Sequence, residues 1–288
     1  MSDAAQFEPL QLEHEVFKAP FPVQPAYEMW PTPDNYRQNS LEGKALPAKL
    51  KVWRVQNTGR NIGSVVSCGY GYTDSPDAEV IAPGYNVGKQ YGDVGIGRHA
   101  SFLLWGFSAP PSQMTDAGRA LFLNCICYIR KFDGKPPLIH AVQLYASRQD
   151  AVRYALIIDR VRDKSFASNI FPQDQLNQYR GKALAFAKFW QDNAELVYRD
   201  KVYRVDEELR AAGIKSNRTV AALGQMVELL KDLKTAQKGR LLLGRYTEET
   251  LIMADEWRAW FDSNRDRIYF SDVGGYKFRV IPQGYPVR

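Results

Sequence analysis

The sequence predicts an α+β chain: a small glycine-rich β-containing domain, then a mostly helical domain ending in a β-hairpin. Three observations predict it. Ten of the 21 glycines fall between Gly59 and Gly106, among short segments that alternate polar and apolar residues. Beyond residue 136, apolar residues recur at helical spacing. The last stretch places Arg267-Ile-Tyr-Phe and Tyr276-Lys-Phe-Arg-Val on either side of Asp272-Val-Gly-Gly, the pattern of two strands around a glycine turn.

Residues 1–47 hold seven of the 16 prolines (Pro9, Pro20, Pro22, Pro25, Pro31, Pro33 and Pro47) and the aromatics Phe17, Phe21, Tyr27, Trp30 and Tyr36. This composition predicts an extended arm that packs along a surface. The next domain is expected over 48–135. Lys49 to Val55 alternates like a half-buried strand, and further strands are expected at 62–67, 79–82 and 101–107. The last of these, Ser101-Phe-Leu-Leu-Trp-Gly-Phe, reads as a central strand covered on both faces. Thr115 then caps a helix in which Leu121, Phe122, Cys125, Ile126 and Ile129 recur, and Asp133-Gly-Lys-Pro-Pro ends it. That end marks the domain boundary.

The helical domain is expected over 136–288. Ser147-Arg-Gln-Asp150 reads as a helix start, followed by Ala151, Tyr154, Ala155, Ile158 and Val161 on one face. Further helices are expected at 172–199, 206–212, 217–233, 235–246 and 254–264. No internal repeat of fixed period is present, which argues against a solenoid.

Composition narrows the class. The 288 residues are 45% hydrophobic and 24% charged with a net charge of +6, enough for a sizeable core. A collagen, a disulfide miniprotein and a polytopic membrane protein are excluded. Cys125 and Cys127 lie two apart on a helix, so their side chains diverge and each reads as a buried thiol. With Cys68 as the third cysteine and His14, His99 and His140 the only histidines, a Cys/His zinc site is not expected. The first residues show no basic stretch leading into an apolar one, so a cytoplasmic location is expected. Charge is unevenly spread: residues 1–135 carry 13 basic and 13 acidic residues, and residues 136–288 carry 25 and 19.

Familiar nucleotide and nucleophile motifs fail on context. Gly95-Ile-Gly97-Arg98-His99-Ala100 matches the dinucleotide fingerprint in letters but leads into a strand rather than a helix. Gly84 to Lys89 has the wrong spacing for a phosphate loop. Gly106-Phe-Ser108-Ala-Pro110 lacks the second glycine of a nucleophile elbow. Two clusters remain. Asp74, Asp77 and Glu79 place three carboxylates around a turn fixed by Pro76, a donor set suited to a hard cation such as Ca2+, or simply a solvated turn. His99, beside Arg98, is the candidate acid–base group, and Asp77 is the second candidate catalytic residue should the two loops meet; the plain reading is a histidine bonded to a nearby carbonyl. In the basic half, Lys231, Lys234, Lys238, Arg240 and Arg245 near Trp257 and Trp260 form a candidate partner surface, or an ordinary solvated face.

Two strings carry a resemblance. Gly97-Arg-His-Ala-Ser-Phe-Leu-Leu-Trp-Gly-Phe-Ser-Ala, with Met114-Thr and Asn124 downstream, and Trp257-Arg-Ala-Trp, with Arg265 and Phe270-Ser-Asp-Val-Gly-Gly-Tyr, resemble large uncharacterised bacterial proteins of planctomycete type. Residues 97–127 also look distantly like the closing strand and helix of glutamine-amidotransferase-like domains of the trehalose-utilisation branch. The resemblance spans under a third of the chain. No cysteine stands in a strand-to-helix elbow, so amidotransferase activity does not carry over.

The function expected is a non-catalytic binding or assembly module, with a protein partner or a second copy favoured over nucleic acid or an anionic surface. The alternative is a metal-assisted hydrolase of esters, lactones or glycosides, built on Asp74, Asp77, Glu79 and His99.

Overall fold

Strand β3, Lys49–Arg54, shows how the alternation works: Leu50 and Val52 are buried while Lys49 and Lys51 face solvent. Its neighbours are β1, Ala4–Gln6, and β2, Tyr27–Pro31, both antiparallel to it, giving the order β1-β3-β2. The proline-rich segment expected to be an arm thus supplies two of the three strands of this sheet. The computed structural model describes residues 4–6, 12–32, 34, 37, 42–58, 66–84, 93–140, 147–161 and 164–285.

A second antiparallel sheet has the order β4-β5-β6, with β4 at Ala78–Pro83, β5 at Val94–His99 and β6 at Phe102–Trp105. One sequence expectation changes here. The run expected to be a doubly covered central strand is the edge strand β6, and its Phe102 is 65% exposed. The central strand is β5. Of the two roles that clustered glycines imply, tight turns or close backbone approach, Gly97 fills the second: a Cβ there would fall 2.6 Å from Val94 Cγ1 and 2.7 Å from Tyr72 Cε1. The strand expected at 62–67 lies mostly outside the described residues, apart from a bridge between Ser67 and Val94.

Helix α1, Asp116–Ile129, begins as expected, with Thr115 Oγ1 accepting from the Gly118 amide at 3.0 Å. Its inner face buries Leu121, Asn124, Cys125 and Tyr128; Leu121, Cys125 and Tyr128 share a core with Trp53, Val55, Ile81, Ile96 and Phe107. Cys125 is fully buried, whereas Cys127 is exposed, against the expectation that both are buried. All three cysteines are free thiols.

The chain divides into two compact units. The first takes in Met1–Thr73 and Asp77–Pro137, the second Asp74–Pro76 and Leu138–Arg288. In the second, α2 (Arg148–Ile157) is capped by Ser147, and α3 (Lys164–Ser168) follows. The helix expected over 172–199 is broken into α4, Gln173–Gln178, and α5, Ala183–Asp192, because Gly181 sits at φ +69° between them. Its last residues form β7, Val197–Arg199, which pairs with β8, Tyr203–Val205, a hairpin the sequence did not announce. Phe171, Phe186, Trp190 and Tyr203 pack against one another beside it.

Then come α6 (Glu207–Ala211), α7 (Val220–Glu228), α8 (Leu233–Tyr246) and α9 (Ala254–Asn264). Leu223, Met226, Val227, Leu242, Leu243, Tyr246 and Trp257 make the core they share, closed by Phe270 and Phe278 of the terminal hairpin. That hairpin pairs β9, Ile268–Ser271, with β10, Lys277–Val280, as expected. Among the described residues, no helix is long and apolar enough to cross a membrane.

Candidate functional site

The register of β4 on β5 decides where the first set of candidate residues goes. Glu79 faces Arg98 across the two strands, and Ala78 faces His99. Arg98 is buried; its Nε donates to Glu79 Oε1 at 2.6 Å, and its Nη1 reaches the carbonyls of Asp77 at 2.9 Å and Ala100 at 3.3 Å. Its guanidinium also lies 3.8 Å from the centre of the Phe132 ring. Arg98 therefore braces the turn at Ala100, a residue held at φ +49°.

Glu79 collects two further donors. Tyr128 Oη of α1 donates to Oε1, and His14 Nε2 stands 3.3 Å from Oε2. His14 Nδ1 accepts from the Val16 amide, so the ring proton lies on Nε2 and is directed at Glu79. Burial pushes the Glu79 pKa up, but the bonds from His14, Tyr128 and Arg98 and the arginine charge reverse this and hold it at about 2. Burial and the Glu79 carboxylate push the Tyr128 hydroxyl well above its usual value. The cluster is an internally satisfied charge pair, the arrangement that buried ions need.

Asp77 and His99 do come together. Asp77 is buried, and His99 Nε2 stands 3.6 Å from its Oδ1, an ion-pair distance longer than a hydrogen bond. The Asp77 carbonyl accepts from the Ala100 amide, which ties the carboxylate to the end of β5. His99 closes that strand rather than opening the next, and its side chain is 30% exposed.

Asp74 is engaged elsewhere, in the second unit. Its Oδ2 accepts from the Asp272 amide at 2.8 Å and stands 3.3 Å from Ser271 Oγ, while its buried Oδ1 has no hydrogen-bond partner among the described residues. Burial and the neighbouring Asp272 charge raise its pKa. Asp272 in turn grips Arg148 through Oδ1 to Nη2 at 2.6 Å and Oδ2 to Nε at 2.8 Å. Arg148 also donates to Asn217 Oδ1 and the Ala194 carbonyl. The cation site expected on Asp74, Asp77 and Glu79 is not what these carboxylates form. Each has its own partner, and among the described residues no group of three or more His, Cys, Asp and Glu side chains is arranged to hold a metal ion.

The basic candidates lie on and before α8. Lys231 pairs with Glu228, Lys238 with Glu208, and Arg245 with the buried Asp206, which also accepts from Tyr246 Oη. Among the described residues, no ion pair or side-chain hydrogen bond engages Lys234 or Arg240. Both are exposed, on a helix side that also carries Leu233, Gln237, Leu241 and Gly244. Leu233 is 95% exposed and Leu241 50%. Trp257 is buried and Trp260 half-buried, so neither offers an open ring for stacking.

Sequence reasoning missed His14, Tyr128, Arg148 and Asp272. Of these, only Tyr128 carried a signal: it stands one turn after Asn124 on a helix otherwise lined by Leu121 and Cys125. Ser108 is exposed in the loop before α1. No family model, curated protein or solved structure matches this chain.

Proposed function

We infer that this chain is a non-catalytic binding or assembly module whose second unit docks a protein segment of acidic and apolar character. One observation carries the reading: the outward side of α8 combines Leu233 and Leu241, both open to solvent, with the cations Lys234 and Arg240, which have no ion-pair partner among the described residues. Leu233, Gln237, Leu241 and Gly244 follow the spacing of one helical stripe, the pattern that receives a partner helix. The flanking cations select for glutamate or aspartate beside its apolar residues. The three free thiols are in keeping with a reducing cytoplasm.

The test is fluorescence anisotropy with a labelled helical peptide carrying leucine and glutamate at i, i+4 spacing. A charge-inverted lysine version serves as control. The acidic peptide is expected to bind saturably and more weakly as salt rises, and the double variant Leu233→Ala, Arg240→Glu should reduce its affinity at least about tenfold. Equal binding of both peptides would overturn the reading. So would binding to phosphatidylserine vesicles alone, or a dimer in light scattering that the double variant dissolves.

A second reading rests on the approach of His99 to Asp77. A buried carboxylate beside a part-exposed imidazole is the minimal acid–base pair of a hydrolase, with His99 as the general base and Asp77 orienting it. This reading expects hydrolysis of an ester, lactone or glycoside that His99→Ala abolishes. A folded chain inactive on such a panel rejects it.

A further inference from the structure

The second unit holds a cavity of about 470 Å³ that none of the sequence motifs touches. It opens where α2 ends and α4 turns into α5. Ile158, Val161, Leu176 and Phe186 supply its apolar wall, and Asn177 and Arg180 stand on its rim. Its size falls in the usual range for small-molecule sites, about 300–1,000 Å³.

The shape follows from the break between α4 and α5. Gly181 reverses the chain at φ +69°, and its amide donates to Asp159 Oδ1 at 3.2 Å, fixing that side of the mouth to the end of α2. Tyr179, just before the turn, stacks on Phe186 with ring centres 4.9 Å apart and planes 17° from parallel. Phe186 is itself locked against Phe171 and Trp190. The aromatic wall is therefore rigid before any ligand arrives, so little ordering is needed on binding.

The rim gives the ligand its charge. Arg180 is exposed, and among the described residues no ion pair or side-chain hydrogen bond engages its guanidinium. Three residues earlier, Asn177 uses its Oδ1 to accept from Gln173, which leaves its amide hydrogens as donors on the same side of the turn. A planar fork beside an amide donor suits a carboxylate. With Asp159 also on the rim, a single negative charge is better tolerated than the two of a phosphate monoester.

We propose that this cavity binds an aromatic monocarboxylate, its ring against Tyr179, which Phe186 backs from behind, and Leu176, and its carboxylate on Arg180. This goes beyond the docking surface on α8 and does not depend on it.

The probe is naphthoate, titrated into the full chain by calorimetry, with naphthylmethanol as its uncharged counterpart. Naphthoate is expected to bind saturably, and Arg180→Gln to weaken it about tenfold while leaving the alcohol unchanged. Arg180 is exposed, so this variant keeps the fold. Ala167→Phe, which fills the cavity, should abolish binding of both compounds, with circular dichroism confirming that the variant is folded. Absence of saturable naphthoate binding would overturn the proposal. So would an Arg180→Gln variant that binds naphthoate as the parent does, or a folded Ala167→Phe variant that binds it unchanged.

Discussion

Glu79 and Arg98 face one another across β4 and β5, where Arg98 Nε donates to Glu79 Oε1 at 2.6 Å beside the bonds that Glu79 also receives from Tyr128 and His14. Removing Arg98 takes away the guanidinium charge paired with the largely buried Glu79 carboxylate. Arg98→Gln is expected to destabilise the first unit by about 3–5 kcal/mol. Urea unfolding of parent and variant measures it, and a loss within the scatter of an ordinary surface substitution contradicts the assignment.

The same carboxyl predicts an acid dependence. The folded pKa of Glu79 lies near 2 against an ordinary value of 4.5. Its contribution is therefore complete above the ordinary value and is lost as the pH falls from there toward 2. In paired urea titrations, the advantage of the parent over Glu79→Gln should shrink across that window. A constant advantage speaks against it.

Asp74 has the opposite sign. Burial and the Asp272 charge raise its pKa above the ordinary 3.8. The folded state then holds that proton more tightly, so the ionised carboxyl carries a penalty that grows as pH rises through 3.8 and levels off above the folded value. Asp74→Asn keeps an oxygen to accept from the Asp272 amide and is expected to be neutral or stabilising at pH 7. Below the ordinary value the difference should vanish. A variant clearly less stable at pH 7 contradicts this, and thermal unfolding at the two pH values decides.

Two glycines should respond in opposite ways. A Cβ on Gly118 would fall 2.1 Å from the Val55 carbonyl oxygen, too close for α1 to keep its place on the end of β3. Gly118→Ala is expected to destabilise by at least about 2 kcal/mol. Gly244, on the exposed side of α8, has nothing within 4 Å of an added Cβ. Gly244→Ala is expected to stabilise by about 0.5–1 kcal/mol through helix propensity alone. Melting temperatures of both variants suffice.

The thiols offer a chemical test of the α1 packing. Cys125 is fully buried and its thiol is pushed up to about 12 by burial, whereas Cys127 is exposed. Brief native treatment with iodoacetamide should label Cys127 and spare Cys125. Peptide mass spectrometry reads the ratio, and equal labelling rules out this orientation of the helix.

Where local chemistry decides, the sequence was legible. Thr115 and Ser147 cap the helices expected of them, and the terminal hairpin forms around its glycine turn. What long-range packing decides was not legible. The glycine cluster implied turns or close approach without saying which; Gly95 and Gly97 lie in a central strand, where a Cβ on Gly97 would clash with Val94 and Tyr72 and one on Gly95 would crowd the backbone of Gly84. β6 is apolar enough for a sheet interior but ends up on an edge, since strand order depends on pairing rather than composition. The carboxylates of the 74–79 turn are equally instructive: their proximity in sequence suggested one site, but their partners are His99 for Asp77, Arg98 for Glu79 and the Ser271–Asp272 corner for Asp74. His14 escaped notice because its partner lies 65 residues away.

The membership of Asp74–Pro76 in the second unit has a practical corollary for dissecting the chain. A fragment starting at Leu138 would contain every helix from α2 onward yet lack the acceptor for the Asp272 amide and the Ser271 hydroxyl. Cutting at Pro137 therefore does not excise a complete folding unit. The shortest faithful excision would carry a grafted hydrogen-bond acceptor at that corner.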